Sequence, residues 1–326
     1  MSNERDSDDR AEPALEQLFA RAEPRPLPPQ SDTDDIRRAV YAEWHAATGR
    51  RQWRRRGGFA AAAAIVLAAA VWLGNGLLPS VPPVAVAHVE RVQGVIDTEA
   101  GTRLAVNGAL VAGDRLATRT GQVALRLASG GSVRLAPRSE IVLTSAATAE
   151  LISGRLYFDS ENRGDGTPFT VTTPLGTIRD VGTQFLVNLD GARAALDVGV
   201  RDGRVALTMR NGSGTAVAGE RLLAAQDGNG IRREAMPKVG ADWDWAEELA
   251  PPFDIDGRTV DEFLTWFARQ TGRSVVFGSD AAERLARETR LSGSIDLAPL
   301  QKLSAVMALT DLAYVLEAER VVISAR

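Results

Sequence analysis

Hydrophobic positions follow three rhythms along this chain. From Phe59 to Leu78 they form one block, FAAAAAIVLAAAVWLGNGLL, twenty residues without a charge. At about 1.5 Å of rise per residue such a helix reaches roughly 30 Å, the thickness of a bilayer's hydrocarbon core, and there a helix satisfies its own backbone groups. From Val84 to Arg233 the period is two. Val123, Leu125 and Leu127 alternate with Ala124, Arg126 and Ala128, and the pattern recurs at Val133/Leu135, Ile141/Leu143, Phe169/Val171, Phe185/Val187/Leu189, Val198/Val200 and Val205/Leu207. Gly, Asn or Asp fills nearly every gap, as in Ser129-Gly130-Gly131 and Asp190-Gly191, so many short strands with tight turns are predicted. An all-β domain of this kind is a sandwich, a barrel or a β-solenoid.

Beyond Phe253 the rhythm is mixed. Strands are predicted at Phe253–Ile255, Val275–Phe277, Leu291–Ile295, Ala313–Leu316 and Val321–Ile323. Between them run two helical stripes, Val260/Phe263/Leu264/Phe267, which stops near Gly272, and Leu300/Leu303/Val306/Leu309. The result is a small α+β module in β-α-β-β-α-β-β order. Trp266 lies off the first stripe and is expected at the surface, as a partner contact.

Charge orients the apolar block. Arg50, Arg51, Arg54, Arg55 and Arg56 precede it, and neither Lys nor Arg occurs from Gly57 to Glu90. That asymmetry places the first fifty-odd residues in the cytoplasm and exports the rest, with Trp53 and Trp72 where an interfacial aromatic belt would hold them. A secretory signal peptide fits less well, because its basic flank would lie fifty residues in; a buried core helix fits less well, because the block has no polar face. The expected organisation is a cytoplasmic tail and amphipathic helix over 1–56, a transmembrane helix over 57–78, a proline-rich stalk over 79–83, the all-β domain over 84–233, a hinge over 234–252 and the α+β module over 253–326.

Within the cytoplasmic tail, Ser31 caps a helix predicted from Asp32 to Thr48, and Ile36, Val40 and Trp44 fall on one face of it. Two uses of that face stand side by side: a docking surface for a cytoplasmic protein with Trp44 as the anchor, or a surface that rests on the lipid bilayer.

The chain has 326 residues, a formal net charge of −4 and no cysteine. Disulfides, thiolate metal sites and thiol nucleophiles are excluded, and the one arginine cluster is accounted for by topology rather than by direct nucleic-acid binding. Its two histidines, His45 and His88, fall on opposite sides of the predicted membrane span, so no histidine triad or cluster forms. Lys238 and Lys302 follow no phosphate-binding loop. Asp159, Glu161 and Asp165 stand near glycine, but their spacing matches no calcium loop and a solvated turn is the simpler reading. No catalytic residue, metal or cofactor is predicted.

Four blocks carry a family resemblance: Gly113-Asp114-Arg115-Leu116-Ala117-Thr118, the run from Val123 to Leu135, Leu151-Ile152-Ser153-Gly154-Arg155-Leu156-Tyr157-Phe158, and the run from Thr173 to Val187 with Pro174, Gly176 and Gly182-Thr183 at its turns. Together they resemble the periplasmic domain of the FecR family of transmembrane sigma-factor regulators. The segment after Phe253 is similar to the short N-terminal domain of secretins and TonB-dependent receptors, a protein-interaction module. The resemblance implies a single-pass protein of the bacterial inner membrane that relays a periplasmic protein–protein signal to a sigma factor of the extracytoplasmic-function class. It also implies a TonB-dependent receptor or another envelope protein as periplasmic partner. The cytoplasmic part is shorter than in many members. A different reading is a membrane-tethered periplasmic scaffold without regulatory output.

Overall fold

The computed structural model describes residues 37, 38, 41, 84–98, 104–161, 167–225 and 230–326. Ile36, Val40, Trp44, the arginines from Arg50 to Arg56, Trp53, Trp72 and the apolar block lie outside them. Arg37, Arg38 and Tyr41 are helical and exposed. Among the described residues no helix is long and apolar enough to cross a membrane. The chain divides into two compact units, Met1–Val81 and Pro82–Arg326.

In the second unit the alternating segments become fourteen strands: β1 (Ala85–Gln93), β2 (Asp97–Thr98), β3 (Ala109–Val111), β4 (Arg115–Ala117), β5 (Gln122–Leu127), β6 (Ser132–Leu135), β7 (Glu140–Ser145), β8 (Thr148–Asp159), β9 (Thr170–Thr172), β10 (Gly176–Asp190), β11 (Ala195–Met209), β12 (Gly212–Val217), β13 (Glu220–Ala225) and β14 (Ile231–Ala235). All belong to one sheet, which doubles over on itself. One half runs β3-β1-β5-β6, then the C-terminal half of β8, the C-terminal half of β10, the N-terminal half of β11, β13 and β14. The other runs β2-β4-β7, then the remaining halves of β8, β10 and β11 with β9 between the first two, and ends at β12. Inward side chains of both halves meet in a single core, where Phe158 of one half stacks on Phe169 beside the other at 4.3 Å. The architecture is sandwich-like.

The three long strands serve both halves, and each changes phase where it turns the corner. Inward positions in β8 are Ala149 and Leu151, then Leu156 and Phe158; in β10 Ile178, then Phe185, Val187 and Leu189; in β11 Leu196, Val198 and Val200, then Val205 and Leu207. An extra residue in a strand reverses which face its side chains occupy, so a bulge at the corner lets both halves point into the same core. Gly154, Gly182 and Gly203 mark the three corners, at φ of 87°, 72° and 77°. The corners also nest: a Cβ on Gly203 would lie 2.4 Å from the Gly182 carbonyl oxygen.

After Ala235 come α1 (Ala241–Glu248), α2 (Val260–Thr271), β15 (Ser274–Phe277), α3 (Asp280–Glu288), α4 (Pro299–Ala308), β16 (Leu312–Leu316) and β17 (Arg320–Ala325). Thr259 and Glu262 close a reciprocal capping box on α2. Strands β15, β17 and β16 form a small sheet, parallel then antiparallel, over a second core of Phe263, Phe267, Val306, Val321 and Ile323.

Several sequence expectations are corrected in this region. The expected hinge contains helix α1. Phe253–Ile255 and Leu291–Ile295 are not strands, and Asp280–Glu288 is a helix. It buries Ala282 and Ala286 and lays Leu285 partly against the core, a short stripe of mostly small side chains. On α4, Leu303, Val306 and Met307 are buried, whereas Leu309 lies past the helix end and is 71% exposed.

Gly203→Ala places a Cβ against backbone in a left-handed conformation and is expected to destabilise the protein by about 2 kcal/mol or more in urea melts. Gly191→Ala, with open space around its Cβ position, should stay within about 0.5 kcal/mol. Equal effects would contradict the corner assignment.

A candidate functional site at the interdomain joint

Alternation sends every second residue of the first half outward, where water is expected. Across the middle of that outer face the strand registers align Ala124, Arg134, Tyr157, Leu186, Gly199 and Arg221 in one row. The row is covered. Helix α1 lies over it, with Trp243 and Ala246 on its buried face, and they form a third apolar cluster with Ala124, Ala136, Tyr157, Leu186, Met236, Trp245 and Leu249. Asp242 and Asp244 at the start of α1 favour its positive end. Glycine at position 199 leaves room for this packing: a Cβ there would lie 2.2 Å from the Met236 sulfur.

Two arginines are enclosed by that cover. Arg134 is 0% exposed and Arg201 1%. Arg134 donates to the Ala246 carbonyl in the last turn of α1 and to the Gln270 side-chain oxygen on α2. Arg201 donates through Nη1 to the Gln270 carbonyl, 2.9 Å, at the end of α2, and through Nη2 to Glu247 Oε1, 2.7 Å. Each cation therefore meets the negative end of a helix, where unpaired carbonyls accept charge-assisted hydrogen bonds. Aromatic faces complete the enclosure. The Arg201 guanidinium sits 4.5 Å from the Trp243 ring centroid and Arg134 4.8 Å from that of Tyr157.

The carboxylates of the joint are equally specific. Asp159 is fully buried, accepts from Arg269 at one oxygen and from Gln184 Nε2, 2.9 Å, at the other, while Gln184 also donates to the Arg269 carbonyl, 3.0 Å. Glu247 lies between Arg201 and, at 3.7 Å, Arg273. Burial raises the Glu247 carboxyl above its ordinary pKa despite these two cations, and burial also holds the Arg134 guanidinium below its usual value. Tyr157 is pushed up to about 12, first by burial and then by the charge of Asp159. Its hydroxyl has no hydrogen-bond partner.

This arrangement holds two folded parts together; it carries no nucleophile paired with a base. Among the described residues no three His, Asp or Glu side chains cluster as metal ligands. Asp159 and Glu161, weighed above with Asp165 for calcium, are otherwise engaged: Asp159 in the joint, Glu161 with Arg126.

Residues 114–206 match the family described as FecR protein. The chain carries a FecR domain. Arg134, Tyr157, Asp159, Gln184, Gly199 and Arg201 all fall inside the matched stretch, so the sheet side of the joint belongs to the FecR domain and the helices that cover it follow. Two crystal structures of a candidate anti-sigma factor from Parabacteroides distasonis ATCC 8503 are similar to this chain. One, at 2.50 Å resolution, is 18% identical, covers 64% of this chain and 97% of that one, with a TM-score of 0.34. The other, at 1.65 Å, is 17% identical and covers 65% and 99%, with a TM-score of 0.35. No curated protein sequence matches.

Of the site residues predicted from sequence, Trp266 alone is described. It is partly buried, 5.3 Å from the Phe253 ring and 5.8 Å from Phe263, with the Lys302 ammonium 5.1 Å above it. Lys302, itself buried, donates to the Phe253 carbonyl, 3.1 Å. The joint was missed because alternation assigns Arg134 and Arg201 to solvent. The available signal was Asp242-Trp243-Asp244-Trp245, whose two tryptophans need cover.

Removing Arg201 strands Glu247 in the joint, so Arg201→Met should destabilise by about 3–5 kcal/mol, with part recovered in the double variant with Glu247→Gln. Full additivity in denaturation melts would break the pairing. Alkaline pH gives a second check. An unfolded tyrosine ionises near pH 10 and native Tyr157 near 12, so the stability Tyr157 contributes is complete below pH 10 and lost between 10 and 12. The loss is about 2–3 kcal/mol at most, and Tyr157→Phe should remove that part of the pH dependence.

Proposed function

We propose that this chain is a single-pass inner-membrane regulator whose exported FecR domain and C-terminal module receive a protein–protein signal and whose cytoplasmic segment acts on a sigma factor of the extracytoplasmic-function class. The match of residues 114–206 to the FecR family carries the reading. The apolar block from Phe59 to Leu78, with five arginines on one side only, supports the topology: N-terminus in the cytoplasm, C-terminus in the periplasm. A TonB-dependent receptor or another envelope protein is the proposed periplasmic partner, with the C-terminal module as its contact. The regulator acts by binding and needs no catalysis. A membrane-tethered periplasmic scaffold without regulatory output is the second reading.

Reporter fusions should give periplasmic phosphatase activity after Pro83 and none after Ala47. The decisive measurement is binding of a peptide covering Met1–Arg56 to the cognate sigma factor, alongside anionic vesicles. Trp44→Ala should weaken sigma-factor binding by about 2 kcal/mol or more, and Glu43→Ala by much less. Vesicle binding alone, with sigma-factor affinity weaker than roughly millimolar, would leave the scaffold reading in place.

A further inference from the structure

The FecR domain and the C-terminal module each have a complete core of their own. Apart from an ion pair between Arg91 and Asp296, what lies between them is of two kinds. Helix α1 joins the sheet face through Trp243, Trp245, Ala246 and Leu249, an apolar contact. The end of α2 meets the same face through hydrogen bonds and ion pairs: Arg269 with Asp159, the Arg269 carbonyl with Gln184, and Gln270 with Arg134 and Arg201. Such contacts are exchanged readily for water when surfaces part, because charged and amide groups are well solvated alone, whereas the apolar contact of α1 has no such replacement. Parting would therefore occur between α2 and the sheet, leaving α1 in place.

The closed joint also leaves polar groups unsatisfied. The Tyr157 hydroxyl, Arg134 Nε and Arg201 Nε are all buried without a hydrogen-bond partner; Arg134 and Arg201 hold Gln270 at the end of α2, and both guanidinium groups lie over the Tyr157 ring. A buried donor without a partner favours whichever state returns it to solvent. Tyr157 sits between Arg134 and Leu186 in the row, so its hydroxyl is held there by strand register.

We propose that the contact between the end of α2 and the outer face of the FecR domain is a lock set to open. The unpartnered Tyr157 hydroxyl keeps the closed state only modestly favoured, so a partner that binds the open state better shifts the population. Its use in signalling rests on the relay function proposed above; the lock itself rests on the joint.

Hydrogen exchange on the full-length protein tests it. Amides at the end of α2, from Arg269 to Arg273, should exchange faster than those of either core. Tyr157→Phe, which deletes a buried hydroxyl that has no partner, should slow that segment on the order of tenfold and leave both cores unchanged. Gln270→Ala, which removes the acceptor that α2 offers Arg134, should speed it by a similar factor, again without change in the cores. Faster exchange in Tyr157→Phe would show that the hydroxyl stabilises the closed state and would overturn the proposal. So would a segment that exchanges in step with the cores in all three proteins. A sigma-dependent reporter separates this from the functional reading: slowed exchange in Tyr157→Phe with unaltered induction keeps the lock and rejects the relay.

Discussion

Arg134 and Arg201 are long cations shut off from water on a sheet face that alternation alone would leave wet. An isolated buried guanidinium is untenable, so the face is stable only while something negative lies against it. Helix ends supply that. The Ala246 carbonyl closes α1 and the Gln270 carbonyl closes α2, and each accepts from one arginine. The dependence is mutual, because those carbonyls have no partner within their own helices. Arginine suits the task better than lysine: its planar fork reaches two acceptors at once while its face lies on Trp243 or Tyr157.

That joint presupposes a rigid platform, and the folded-over sheet provides it. Arg134, Tyr157 and Arg201 come from β6, β8 and β11, strands far apart in sequence, and strand register brings them into one neighbourhood. Register in turn depends on the three corners. Were the bulge at Gly203 lost, the second half of β11 would present the opposite side chains to the core, and Val205 and Leu207 would face outward. Backbone geometry at residues 154, 182 and 203 thus decides whether the charged residues of the joint face α2.

Much of this was legible in the sequence, and the boundary between what was and was not has a physical origin. Strand alternation identified the inward residues, since Leu125, Val133, Ile141, Phe185 and Val198 are all buried. The phase reversals were present too, as the shift from Val198/Val200 to Val205/Leu207 across Gly203 shows, but their meaning requires knowing that one strand serves two halves of a sheet. In the C-terminal module the stripe of α2 was plain, with Phe263, Leu264 and Phe267 buried. The helix from Asp280 was not, because the side chains it buries fully are alanines and only Leu285 adds a larger apolar contact. Arg134 and Arg201 mark the limit most clearly. Period two reports which face a residue occupies, and a residue on the outer face is exposed only if nothing later in the chain covers it.

The chemistry chosen for that cover bears on what the joint is for. An apolar seam between the FecR domain and the module would gain from each buried carbon and would oppose separation at every step. The arginine seam behaves otherwise. Its favourable terms, ion pairs and hydrogen bonds, are largely recovered in water, while its unfavourable terms, desolvation and the unpartnered donors of Tyr157, Arg134 and Arg201, are relieved there. The net preference for closure is a small difference between large quantities, yet the geometry is exacting, since two guanidinium groups have to meet two helix ends together. Orientation is thereby well defined while the contact lasts, and little free energy is needed to end it. A part with those two properties is suited to transmitting the presence of a partner from one domain to the next.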